Sequence, residues 1–200
     1  MEFNKIIKWI EYGKKIPATK KFDYEEKFSK KDMLRRWDPF EDTLSAAIMS
    51  GLEIIPINNS TNILYIGKIN KERQLNYLDL VENKQKNFIF DEECKNMSSE
   101  IENFQYIDNL EEIKGKLFSV IYMNGNIVSI KNIISILDEF LDEFGYLIIV
   151  LSRSSEKEFN DSFKKLSESL HVIQEINIEN YFRNKSLIIF SNKKIISEFN

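Results

Sequence analysis

From Asn62 onward, short runs rich in β-branched and aromatic residues alternate with stretches of helical period, and few folds accept that order. Strand character falls at 62–66, 87–90, 104–107, 118–122, 146–151, 172–178 and 187–190. Helical spacing falls near 71–81, 98–102, 130–144 and 156–170. In "SIKNIISILDEFLDEFG" an apolar stripe of Ile130, Ile133, Ile134, Leu137, Phe140, Leu141 and Phe144 ends at Gly145, which predicts a helix stopping there. Strands separated by helices imply a mostly parallel sheet with both faces covered. The last two strand-like runs are joined only by "ENYFRNKS", too short for a helical crossover, so they should pair antiparallel.

The N-terminal part differs. In "NKIIKWIEYGKKIPATKKF" apolar residues follow a two-residue period on each side of Gly13, and Pro17 breaks any helix, which predicts a small β-hairpin region. In "RRWDPFEDTLSAAIMSGL", Asp38 is read as an N-cap, Pro39 as the first helical position and Glu41 as the return of a capping box. Leu44, Ala47, Ile48 and Leu52 then form one apolar face, and Gly51 marks the exit. The expected organisation is a small β-rich region over 1–36 followed by an α/β domain over 37–200.

Composition narrows the chemistry. Cys94 is the single cysteine and His171 the single histidine, which argues against an internal disulfide and a Cys/His metal cluster, so no metal is expected. His171 opens a strand-like run and reads as a surface residue. The abundant phenylalanines, Phe88, Phe90, Phe140, Phe144 and Phe190 among them, read as core before they read as a base-stacking platform. No apolar run approaches membrane-spanning length, and "MEFNKIIKWIEYGKK" has no uncharged apolar core, so neither a span nor a signal peptide is expected and a cytoplasmic location is. The net charge is −4, but residues 1–38 hold 11 Lys and Arg against 7 Asp and Glu, a balance of +4 that leaves −8 on the rest. Such a chain is not expected to hold RNA strongly by itself, and its basic end reads as solvated surface or as a modest RNA-facing patch.

A predicted seven-stranded sheet ending in an antiparallel hairpin is the outline of a class I, Rossmann-like methyltransferase fold. At "RRWDPFEDTLSAAIMSGLEIIPINNSTNILYIG" the sequence resembles archaeal fibrillarin, the methyltransferase subunit of box C/D RNA-guided ribose methylation complexes. That family carries an aromatic-Asn/Asp-Pro step, a helix with "L-x-A-A-I", a Gly-Leu pair and a strand similar to "VLYLG". Further along, "PATKKFDYEEKF" resembles a shortened form of the family's N-terminal β domain. "KNFIFDEE" resembles its second strand and "FSVIYMN" its fourth.

The resemblance implies an S-adenosylmethionine site, with Gly67 opening the cofactor loop, Asp91 at the ribose hydroxyls and Asp108 near the adenine. The departures are as informative. Where the family has small residues and a further glycine, this chain has Lys68, Ile69, Asn70 and Lys71. Long side chains there would occupy the cofactor's volume, and none reaches glycine's conformations cheaply. The family's two catalytic lysines, aspartate and histidine fall by resemblance on Thr43, Leu151, Asn124 and Lys185, so none is retained; Arg153 is the cation nearest Leu151. An amide at 124 neither accepts the proton nor supplies a carboxylate's field. The cofactor and catalytic positions thus read as vestigial.

Three functions follow from the resemblance. The first is a catalytically inactive fibrillarin-like scaffold, without cofactor, bound to a Nop5-type protein and touching RNA indirectly or not at all. The second is an active S-adenosylmethionine-dependent RNA ribose 2′-O-methyltransferase with a drifted loop. The third is a methyltransferase fold holding another small ligand in the same cleft.

Overall fold

The protein is described by a computed structural model covering residues 7–11, 15–20, 34–81, 86–91, 103–124 and 130–192. Strands β1 (Ile7–Glu11), β2 (Lys15–Lys20) and β3 (Leu34–Arg36) form a small antiparallel sheet in that order. Then come α1 (Thr43–Met49), β4 (Ile63–Ile66), α2 (Lys71–Val81), β5 (Asn87–Phe90) and β6 (Phe104–Ile107). A short 3₁₀ turn at Leu110–Ile113 leads to β7 (Phe118–Asn124), α3 (Ile130–Phe140), β8 (Leu141–Ser152), α4 (Glu156–Ser169), β9 (Leu170–Asn177) and β10 (Lys185–Asn192). The large sheet has the order β6-β5-β4-β7-β8-β10-β9, with β10 antiparallel to both neighbours and the other pairs parallel. This is the α/β methyltransferase architecture expected from the alternation.

The strands are apolar on both faces because both faces are covered. Ile63 and Tyr65, Ile148 and Val150, Leu187 and Ile189 pack on one side with α1, α2 and the small sheet. Leu64 and Ile66, Leu147 and Ile149, Ile188 and Phe190 pack on the other with α3 and α4. A period of two over a continuous apolar run is the signature of a strand buried on both sides. Among the described residues no helix is long and apolar enough to cross a membrane.

Helix α1 corrects one expectation. The cap is Asp42, whose carboxylate accepts from the Leu44 and Ser45 backbone N–H groups at 2.8 and 3.2 Å. Asp38 instead opens a turn ahead of the helix, its carbonyl accepting from Glu41 and Asp42 N–H at 3.2 and 2.9 Å and its side chain from Phe40 N–H at 2.9 Å. At the other end Gly51, with φ +99°, lets Leu52 N–H reach the Ala47 carbonyl at 2.9 Å, closing a Schellman motif.

A second correction concerns α3. It stops at Phe140, and Leu141 already belongs to β8, pairing with Phe118. The apolar stripe continues past the helix because a strand buried against the same cluster takes it up. Phe144, expected on the stripe, is 48% exposed beside a local turn in which Asp142 accepts from its N–H at 2.9 Å. Gly145 is required for space: a Cβ there would lie 2.7 Å from Leu141 Cδ1 and 2.9 Å from the Asp142 carbonyl oxygen. Gly13, Cys94 and the stretch 98–102 lie outside the described residues.

The small sheet is tied to the large one through Asp79 of α2. Its carboxylate accepts from Thr19 Oγ1 of β2 at 2.8 Å and Arg35 Nε of β3 at 2.9 Å, and the Trp37 indole donates to Thr19 at 3.0 Å. Asp79 is fully buried and Arg35 nearly so. Asp79→Ala removes the buried carboxylate that Thr19 and Arg35 share, and should cost about 3–5 kcal/mol of stability in urea unfolding. A loss under about 1 kcal/mol would mean water replaces the carboxylate.

Candidate functional site

In open parallel sheets ligands sit beyond the carboxyl ends of the strands, where the strand order reverses. Here that point lies between β4 and β7, and β4 runs there into Gly67. Gly67 has φ +124°, donates its N–H to Phe90 O at 3.0 Å, and approaches β7 so closely that a Cβ would fall 2.0 Å from Asn124 O. The glycine therefore has a structural cause independent of any ligand: β4 and β7 close together at their ends.

The loop after it turns inward. Lys68 is exposed, but Ile69 is buried with the α1–α2 cluster, and Tyr106 packs against that cluster. The Tyr65 hydroxyl donates to the Lys68 carbonyl and the Tyr106 hydroxyl to the Ile69 carbonyl, each at 3.4 Å, and Gln74 Nε2 holds the Tyr106 oxygen at 2.8 Å. Asn70 then caps α2 by accepting from Arg73 N–H at 2.9 Å.

Behind the loop, two of the expected site positions meet. Thr43 Oγ1 and the Tyr122 hydroxyl are 2.8 Å apart, and Asn124 Nδ2 donates to Tyr65 Oη at 3.2 Å and, longer, to Thr43 Oγ1 at 3.4 Å. The rings of Tyr65 and Tyr122 stack at 5.2 Å between centroids, with Tyr77 at 6.0 and 5.6 Å from them. Burial pushes all three phenols up, Tyr65 to about 12, and the neighbouring Asp42 charge adds to this. None of them is a base at neutral pH. Asp42, buried beside them, also accepts from Asn76 Nδ2 at 3.2 Å. Arg73 Nε and Asn76 Oδ1 have no hydrogen-bond partner.

The other positions sit around this group. Asp91 is buried immediately after β5, whereas Asp108 is exposed after the neighbouring β6. Leu151 is half-buried on β8, packs on the α3–α4 cluster and pairs with Ser186 of β10. Lys185 begins β10 with its ammonium 6.0 Å from the centroid of Phe182. Arg153, the cation nearest Leu151, is engaged by Glu175, by Ser186 and by the face of Phe159 at 4.4 Å. His171 is exposed on β9. Among the described residues no three His, Cys, Asp or Glu side chains group as a metal site.

Sequence reasoning missed Tyr65, Tyr77, Tyr122, Asp42, Arg73 and Asn76. One signal was readable: tyrosines one or two residues before the ends of two strands that become register partners, Tyr65 and Tyr122, must share a face.

Comparison with known proteins follows the same outline. Residues 7–101 match the fibrillarin family model. A fibrillarin-like rRNA/tRNA 2′-O-methyltransferase of Pyrobaculum aerophilum is 47% identical over 36 residues, 18% of this chain and 15% of the relative, so the match spans a small part of that protein. The Methanococcus jannaschii fibrillarin pre-rRNA processing protein superposes with a TM-score of 0.75 at 22% identity, over 94% of this chain and 98% of that one. A fibrillarin solved in complex with Nop5p gives 0.74 at 16% identity, over 96% and 100%.

Gly67→Ala forces a Cβ into Asn124 O in a backbone region that L-residues avoid. It should cost on the order of 3 kcal/mol, with or without any ligand. A near-neutral substitution in thermal unfolding would show that the β4–β7 closure is loose.

Asp42 gives a pH test. Burial raises its carboxyl above the ordinary 3.8, against the opposing pull of Asn76, the Ser45 N–H, Arg73 and the Leu44 N–H. The folded protein then holds that proton more tightly than the unfolded chain, so this group's contribution is present below 3.8 and is lost as pH rises through the folded value. Asp42→Asn keeps a capping oxygen and does not ionise, so its stability relative to wild type should improve as pH is raised through that window. Parallel pH profiles of Tm for the two proteins from about pH 3 to about pH 7 would contradict this.

Proposed function

We propose, from the fibrillarin family-model match over residues 7–101 and a fibrillarin-like fold over nearly all of the chain, that this protein acts as a non-catalytic binding and scaffold subunit of a box C/D-type ribonucleoprotein. Its partner on this reading is a Nop5-type protein, and its place of action the cytoplasm. The observation that carries the proposal is the loop after β4. Ile69 is packed into the core and the carbonyls of Lys68 and Ile69 are bonded by tyrosine hydroxyls, in the loop where the resemblance implies small residues against a methyl donor. The positions aligned with catalytic groups support the same reading. Thr43 and Asn124 are bonded into the tyrosine cluster, while Leu151 packs against apolar side chains.

The fold of the Nop5p-bound fibrillarin supports the partner class. A scaffold keeps a surface under constraint when its chemistry is lost. An interface of the usual size buries about 1,200–2,000 Å². Partner in hundredfold excess over Kd stabilises the folded chain by about 2.7 kcal/mol. RNA would be reached through the partner, in keeping with the −4 charge.

Calorimetric titration with S-adenosylmethionine should show no binding at sub-millimolar concentration, while co-purification with a Nop5-type protein raises Tm by several degrees. A micromolar dissociation constant for the cofactor, with methyl transfer to guided RNA, would overturn the proposal in favour of an active ribose 2′-O-methyltransferase.

A further inference from the structure

Two side chains on the first turns of α2 leave complementary groups unbonded. Arg73 Nε is a buried donor without an acceptor, and Asn76 Oδ1 is a buried acceptor without a donor. Asn76 is 1% exposed, so bulk solvent does not answer its oxygen. Buried polar atoms are nearly always bonded, to protein or to ordered water.

The orientation of the Asn76 amide is fixed by its neighbour. Its Nδ2 donates to Asp42 Oδ2 at 3.2 Å, and turning the amide over would set oxygen against a carboxylate oxygen. Oδ1 is therefore the atom that needs a donor. Residues three apart on a helix are neighbours on its surface, which brings Arg73 beside Asn76. Both side chains also act on Asp42, Asn76 through its amide and Arg73 through its charge, and each opposes the effect of burial on that carboxyl. Asp42 has capacity for a further donor. Its Oδ1 takes the Leu44 and Ser45 N–H groups, whereas Oδ2 takes Asn76 Nδ2 alone among the described residues.

The group that completes this arrangement must accept from Arg73 Nε and donate to Asn76 Oδ1. An ammonium ion cannot accept, and a halide cannot donate. Water does both and keeps a second hydrogen for Asp42 Oδ2, which gives it the three bonds typical of a buried water. We propose that Arg73, Asn76 and Asp42 hold one buried water, which joins Arg73 to Asp42 as a water-mediated ion pair. The water ties the cap of α1 to the first turns of α2. Because Asn70 caps α2 at the end of the loop after β4, the site also braces that loop, whether or not the protein is catalytic.

A crystal structure of the intact protein at about 1.5 Å tests this directly, with a single water expected within about 3.2 Å of both Arg73 Nε and Asn76 Oδ1. Oxygen-17 magnetic relaxation dispersion supplies the measurement in solution. Arg73→Met, which keeps a long stem but has no N–H, should show one long-lived water fewer than the wild type. Should that variant fail to fold, the wild-type density decides by itself. No density between the two atoms, a direct bond from Arg73 Nε to Asn76 Oδ1, an Asn76 amide turned over, density larger than one water, or equal numbers of long-lived waters in the two proteins would each overturn the assignment.

Discussion

Asp79 carries the junction on which both sheets depend. Taking a carboxylate wholly out of water costs several kcal/mol unless its oxygens are engaged. Here Thr19 and Arg35, from two strands of the small sheet, engage one of them. Because Trp37 reaches the same Thr19 and Ser45 Oγ donates to the Trp37 carbonyl at 3.1 Å, the junction extends into α1. Asp79 sits on α2, so the small sheet also fixes that helix in place, and with it the loop that α2 terminates. The position of Ile69 is therefore set partly from residues on the far side of the helix.

The tyrosine cluster is a consistent solution to a packing problem. A cleft between β4 and β7 lined by threonine and asparagine would leave polar groups facing empty space. Tyr65 and Tyr122 supply apolar bulk, and their near-parallel rings, 14° apart, add a favourable aromatic contact. Their hydroxyls answer Asn124 and Thr43. A satisfied network of this kind holds one arrangement firmly. It is incomplete only at Arg73 Nε and Asn76 Oδ1, near Asp42, whose carboxyl burial pushes up.

The architecture was legible because it rests on periodicity. Continuous apolar runs that alternate faces, as Ile63 to Ile66 do, and the short link before β10 define the parallel sheet and its antiparallel end without tertiary knowledge. Boundaries were less legible because competing local signals satisfied the same rule. Asp38 and Asp42 both suit a cap, and only the buried one caps the helix. The stripe through Phe140 continues to Leu141 because helix and strand bury against one cluster. Strand β3 has only three residues and is defined by pairing with β2, which no local pattern announces. At the site, Thr43 and Asn124 were identified by resemblance, whereas their partners Tyr65 and Tyr122 became visible only through register, since adjacency across a parallel pair is a long-range property.

The loop after β4 is held by its own contacts with the core. Moving Ile69 out of the apolar cluster costs about 1.5–3 kcal/mol for a buried aliphatic side chain. The hydroxyl bonds to the Lys68 and Ile69 carbonyls must also break; at 3.4 Å they are weak, about 0.5 kcal/mol each. A rearrangement that breaks all three contacts costs about 2.5–4 kcal/mol, and lowers the affinity of a ligand that requires it by roughly two to three powers of ten. The two ends of the sheet thus differ in character: at the carboxyl end Ile69 and two tyrosine hydroxyls hold the loop to the core, whereas at the amino end a cavity of mixed lining, with Leu117, Leu137, Leu141 and Leu170 beside Asp138, Asp142 and Glu143, stays open next to the end of β10.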